Sequence, residues 1–127
     1  MGNEKVIKEW FIITGFVLLY TITQAQTDSL ILTNGDHMVG EIKSLDKGVL
    51  YVETPYSEND FNIKWAEVRE VYSATRFLIT LQDGRRINGN IRTKDRGTVA
   101  LIDEEGLVTE TAMEDVVHLI GLKSEFW

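Results

Sequence analysis

The residues with the most to offer chemically form a cationic row. Arg86, Arg92, Lys94 and Arg96 recur at even spacing, with Asn88 and Asn90 between them and Arg85 alongside. On a β-strand, alternate side chains share a face. The row therefore predicts a stripe of guanidinium and ammonium groups opposite Ile87, Gly89 and Ile91. Such a stripe suits phosphate or carboxylate partners. Arg85, Arg86, Arg92, Lys94 and Arg96 are thus the candidate anion- or partner-binding residues. The competing reading is a solvated strand face balanced by nearby acids.

Other chemistry is sparse. No Cys occurs, which excludes a disulfide, a thiolate metal site and a Cys nucleophile. His37 and His118 fit no metal-ligand spacing. Asp103-Glu104-Glu105-Gly106 lacks the alternating oxygen ligands of a calcium loop and reads as an acidic hairpin tip, as does Ser57-Glu58-Asn59-Asp60. Asp46 and Asp95, or Glu67 and Asp115, could be drawn as carboxylate pairs, but turn and helix-start positions account for them. No nucleophile, base and orienting group stand together. The expectation is a non-enzyme with no cofactor and no metal.

The chain carries a formal charge of −7. Nucleic-acid binding draws most of its affinity from a basic surface, so the balance argues against that partner. At the front, a polar stretch with Lys5 and Lys8 precedes the apolar run Phe11–Ile22, followed by Thr23-Gln24-Ala25. A charged start, a short apolar core and small residues before a cut are the layout of a secretory signal peptide. The run is shorter than the roughly 20 residues of a spanning helix. Residues 1–25 are expected to be a signal-peptide helix cleaved after Ala25, with a retained membrane anchor as the alternative. Export would carry the protein out of the cytoplasm.

The elements that would position the cationic row come from an internal repeat. Leu30 aligns with Ile79, Leu32 with Leu81, Gly35 with Gly84, Gly40 with Gly89, Ile42 with Ile91 and Gly48 with Gly97. After one deletion, Trp65 aligns with Met113, Val68 with Val116 and Val71 with Leu119. Fixed-order self-similarity of this kind marks duplication. Each copy reads as five short strands: Asn34-Gly35-Asp36 and Asp83-Gly84 as hairpin turns, Lys47-Gly48 and Arg96-Gly97 as further turns. A tight turn at Trp65–Val68 leads into a last strand, Val68–Tyr72. Gly40 and Gly89 sit inside strands, where Gly marks bending or close backbone approach.

The expected fold is all-β: two tandem small SH3-like barrels of antiparallel strands. The first repeat covers 26–74, the second 75–121, and a tail 122–127. Ser73-Ala74-Thr75 is too short for a free linker, so the copies should pack together. Ile31, Val49, Tyr51, Leu78 and Ile120 are candidates for that contact, or scattered surface apolars. Val39, Glu41, Lys43 and Leu45 are expected on one outer face. Trp65 and Met113 are expected either in a barrel corner or at an exposed binding site. The strands are too short, and the residues alternating with Trp127 too polar, for a membrane-spanning barrel.

The stretch ITLQDGRRINGNIRTKD, Ile79–Asp95, resembles the first motif of Sm-like proteins. That likeness implies a small Sm-like barrel. It does not imply RNA binding, because the Asn after the Asp and the later Arg-Gly motif of those proteins have no counterpart. DSLILTNGDHMVGEI, NIKWAEVREV and FLITLQDGRRINGNI, behind a leader, are similar to the periplasmic front part of the salt-induced outer-membrane proteins, a domain-of-unknown-function family. In that family a long outer-membrane β-barrel follows. The resemblance implies an exported binding or spacer module of the bacterial envelope, in the periplasm or associated with the outer membrane; its cationic row would meet an envelope protein or an anionic lipid surface. Its alternative is a truncated front part, whose activity lies in a missing barrel. Membrane association would then come only through an uncleaved signal or that barrel.

Overall fold

Turn chemistry cuts the chain into strands. The computed structural model describes residues 27–122. The expected leader at 1–25 and the tail from 123 onward lie outside the described residues. The strands are β1 (Asp28–Leu32), β2 (His37–Asp46), β3 (Val49–Glu53), β4 (Phe61–Lys64), β5 (Val68–Tyr72), β6 (Phe77–Leu81), β7 (Arg86–Asp95), β8 (Thr98–Asp103), β9 (Val108–Ala112) and β10 (Val116–Gly121). Two single-turn 3-10 helices, Trp65–Glu67 and Met113–Asp115, precede β5 and β10. The described residues contain no α-helix. Gly35 and Gly84 both take φ +92° in the turns after β1 and β6, a region that only Gly enters at no steric cost. The preceding side chains lock these turns: Asn34 Oδ1 accepts the Asp36 N–H, and Asp83 Oδ1 accepts the Arg85 N–H.

The strands close into one barrel. β1 pairs with β2 and β5, β5 with β7, β7 with β6, β6 with β10, and β10 with β2. These six strands form a closed antiparallel ring. β3 and β4 extend the sheet from β2, and β8 and β9 extend it from β7. Where the sequence predicts one barrel per copy, a single barrel takes strands from both halves. The physical reason is edge satisfaction. Five short strands leave unpaired backbone at a sheet edge. β5 and β10 each pair within their own half on one side and across to the other half on the opposite side, so one closure serves both.

Gly40 and Gly89 are where the long strands β2 and β7 are crossed most closely. A Cβ at Gly40 would lie 2.5 Å from the Glu53 carbonyl oxygen, and one at Gly89 would lie 2.0 Å from that of Ile102. No side chain fits either place.

Both halves feed one core. Leu30, Ile42, Leu50, Val71, Phe77, Ile79, Ile91, Leu101 and Leu119 are all essentially inaccessible. Leu45 is buried too, against the expectation that it lies outside with Val39 and Glu41. The register of β2 on β3 slips between Ile42 and Ser44. This bulge reverses the alternation, turning Leu45 inward and Ser44 outward. Of the five residues expected at a contact between copies, Ile31, Val49, Tyr51 and Leu78 are half-buried and Ile120 is exposed; of these, only Ile120 pairs directly across to the other half, opposite Ser44. The two halves are joined chiefly through their shared inward faces.

The two seams between halves differ. In the first, β10 meets β2 with Leu119 opposite Leu45 and Ile120 opposite Ser44. In the second, β5 meets β7 with Tyr72 opposite Arg92, and just past β5 the Ser73 N–H donates to the Ile91 carbonyl at 2.9 Å. Polar side chains complete it. Thr93 Oγ1 accepts the Val71 N–H at 2.8 Å, and Ser73 Oγ accepts the Ile91 N–H at 2.9 Å. Thr93 stands opposite Val99 as Leu45 stands opposite Leu50, so a hydroxyl replaces an isobutyl group at the matching place.

Candidate functional site

The predicted cationic row occupies β7 and its flanking turns, with every member exposed. Arg86 opens β7 opposite Thr80, and Arg92 stands between Ala100 of β8 and Tyr72 of β5. Lys94 falls where the β7–β8 register slips between Thr93 and Asp95, and Arg96 lies in the next turn. The five are not equivalent. Arg85 Nε is 2.8 Å from Asp83 Oδ2, and Lys94 Nζ is 2.6 Å from both Glu110 carboxylate oxygens. Arg86, Arg92 and Arg96 make no ion pair among the described residues. Asn90 leaves the row altogether. Its amide points to the carbonyls of Ser73, Ala74 and Thr75 at 3.5, 3.3 and 3.1 Å, clamping the connection between halves.

The open seam adds residues that the strand pattern did not reveal. A hollow of about 450 Å³ runs beside it, walled by Arg69, Tyr72, Thr93, Lys94 and Arg96 together with the acids Glu70 and Asp95. A second, of about 410 Å³, lies between Tyr72, Ser73, Asn90 and Arg92. Tyr72 separates the two. Arg69 and Tyr72 belong to β5, distant in sequence from the row, and only the β5–β7 pairing brings them to it.

Charge is partly compensated here. The Tyr72 hydroxyl donates to Glu70 Oε1 at 2.6 Å. That bond, with desolvation and the carboxylate charge added, raises the phenol above its ordinary value. Arg69 Nε is 3.5 Å from Glu70 Oε2. Lys94 is held in its charged form by its bond to Glu110 and by that carboxylate's charge. Asp83 is pulled below the usual carboxylate range by the Arg85 backbone N–H, and next by its side chain. Such an arrangement offers fixed and mobile positive charge to an anion. It groups no nucleophile with a base.

The other sequence candidates are distributed. Among the described residues no three His, Asp or Glu side chains gather as metal ligands. Asp103 Oδ1 accepts the N–H groups of Glu105 and Leu107, so it shapes the β8–β9 turn. Trp65 and Met113 do meet. Trp65 Nε1 donates to the Met113 carbonyl at 2.9 Å, and both side chains are buried. Their outer side floors an open groove of about 690 Å³ edged by Gly48, Lys64 and Gly97.

Asp28 carried no sequence signal, yet its carboxylate accepts four hydrogen bonds. It is 1 % exposed. Its Oδ1 accepts the Ala74 and Thr75 N–H groups at 2.7 and 2.8 Å; its Oδ2 accepts the Ile42 N–H and the Thr75 hydroxyl, both at 2.8 Å. The carboxylate closes the gap where β1 begins and the connection between halves passes. The matching place in the second half holds Phe77, fully buried, and the alternation of apolar residues there gives no hint of a polar latch.

No protein-family model matches the chain, and neither a characterised protein nor a solved structure gives a match.

Proposed function

We propose that the chain is an exported, non-enzymatic binding module of the bacterial envelope, built by duplication of one SH3-like unit, whose working surface is the open seam between β5 and β7. One observation carries this reading. The two seams display matching cross-strand ladders on the outer face. The first runs Leu78, Ile120, Ser44, Tyr51. The second runs Ser29, Tyr72, Arg92, Ala100. The same architecture thus bears a mainly apolar row on one side, with Ser44 among Leu78, Ile120 and Tyr51, and on the other a row in which Arg92 places a charge beside Tyr72. Half of the Lys and Arg residues between 27 and 122 fall within 85–96, in a chain whose net charge is −7. Backbone pairing does not demand that concentration, since the first seam does without it.

Expression with fractionation of the envelope tests the reading. The mature protein should begin at Gln26, and replacing Arg86, Arg92 and Arg96 with Gln should release it from its envelope partner without lowering its melting temperature. An intact Met1 start in the cytosol would sink the export reading. Unchanged association of the triple variant would sink the assigned surface.

A further inference from the structure

The shape of the cationic row says what kind of anion it fits. Successive residues on one face of a strand are about 7 Å apart, so Arg86 and Arg92, three such steps apart, are separated by about 20 Å of strand, and Arg96 extends the row beyond the end of β7. The unpaired guanidinium groups are spread out rather than gathered round one pocket. A single small anion would meet one exposed charge, and a lone exposed ion pair is worth little.

The row is also curved. β7 pairs with β6 from Arg86 to Gly89, then reaches β5 at Arg92. It turns a barrel corner at Gly89, and its outward side is the convex side of a closed barrel. A flat bilayer would touch such a row at one point. A flexible chain can follow it.

The acids of the neighbouring elements are mostly engaged. Glu110 is held by Lys94, and Glu70 takes the Tyr72 hydroxyl and lies beside Arg69. Asp83 is tied to Arg85. Asp95 is the remaining acid within β7. Arg86, Arg92 and Arg96 are left as the separated points of attachment.

We propose that this row binds a flexible linear polyanion, a chain of repeating phosphate groups, laid along β7 from Arg96 past Arg92 and Tyr72 to Arg86. Each contact is weak alone. Once the first phosphate is held, its neighbours on the same chain bind at high effective concentration. The inference rests on the surface assigned above, but not on export.

The test is binding of the purified protein to long-chain inorganic polyphosphate, to orthophosphate, and to vesicles of anionic lipid, at about 50 and 200 mM salt. Polyphosphate should bind, steeply weakened by salt, while orthophosphate and vesicles should not. R86Q/R92Q/R96Q should lose polyphosphate affinity by tenfold or more, and its salt dependence should fall by about one unit of slope per contact removed. K64Q/R76Q, which removes charge from other elements, should bind as the parent does. Both variants should melt like the parent, since they alter exposed side chains. Vesicle binding equal to polyphosphate binding, or a triple variant that binds polyphosphate normally, overturns the proposal. If the triple variant loses its envelope partner but the parent ignores polyphosphate, the polyanion is wrong and the surface stands. If the envelope partner is kept as well, the surface itself is wrong.

Discussion

Adding one methyl group to Gly89 should unfold much of the barrel's margin of stability. A Cβ built there lies 2.0 Å from the Ile102 carbonyl oxygen, 2.7 Å from its carbon and 2.9 Å from the Asp103 Cα. Carbon and oxygen normally approach no closer than about 3.3 Å, so strand β8 would have to withdraw by more than 1 Å, on that roughly 3.3 Å limit. β8 is held on both sides, by β7 and by β9, and cannot retreat without breaking one ladder. At Gly40 the nearest atom is the Glu53 oxygen at 2.5 Å, followed by side-chain atoms of Thr54 and Val52. That approach is less close than at Gly89, and Glu53 is the last residue of β3. Overpacking costs about 1–3 kcal/mol. Gly40→Ala is expected at the lower end, about 1 kcal/mol, and Gly89→Ala at about 3 kcal/mol or more. For a domain of this size each kcal/mol moves the melting temperature by about 4–8 °C. Gly97→Ala is the control: its φ is +77° with nothing within 4 Å, so its cost is left-handed strain alone, about 1–2 kcal/mol. Urea and thermal unfolding followed by circular dichroism would rank the three. Gly40→Val and Gly89→Val should each exceed their Ala counterparts, although β-branched residues suit ordinary strands. A Gly89→Ala protein as stable as the parent, or less damaged than Gly97→Ala, would refute the close-approach argument.

Two further outcomes are expected. Asp28→Asn keeps the size of the side chain but turns an NH2 group toward donors, whichever way the amide is set, because both carboxylate oxygens accept two bonds. Denaturant unfolding should show a loss of about 2–3 kcal/mol, and a loss under about 0.5 kcal/mol, the size of a surface change, would show that the latch is dispensable. Tyr72 keeps its proton more tightly in the folded state than in the unfolded chain, because its hydroxyl donates to Glu70. Its contribution is therefore complete below the ordinary phenol range and declines as pH rises through it, so the unfolded chain releases the proton first. The parent should lose stability above about pH 10 faster than Tyr72→Phe, and an ultraviolet titration of that variant should lack a tyrosinate that forms above the ordinary phenol range in the parent; identical alkaline profiles would contradict the bond to Glu70.

Much of the local structure was legible in the sequence. Asn34-Gly35 and Asp83-Gly84 announce turns because the left-handed backbone there needs Gly, and Gly35 and Gly84 adopt it. Leu50 and Val52, or Val99 and Leu101, announce strands by alternation, and all four are buried. Trp65-Ala66-Glu67 was readable as a tight turn before β5. Gly40 and Gly89 were readable as close approaches from their places inside strands. The cationic row was visible as a row. These signals are local: they depend on backbone conformation and on a period of two, and both act over a few residues.

The tertiary structure decided the rest. Nothing in the spacing of Leu45 distinguishes it from Val39, yet the slip after Ile42 buries it and leaves Val39 exposed. The same parity that groups Arg86, Arg92 and Lys94 says nothing of Glu110, which reaches Lys94 from β9, nor of Arg69 and Tyr72, which arrive with β5. Asp28 became a latch only because Ile42, Ala74 and Thr75 converge on it from two other stretches of chain. Whether two repeats close as two barrels or as one turns on which strand edges find each other, since each repeat alone can pair β1 with β5 or β6 with β10 and still leave an edge unsatisfied. Strand pattern tells a residue which face it lies on; hydrogen-bond demand at the remaining edges, met only by chain far away in sequence, determines what that face meets.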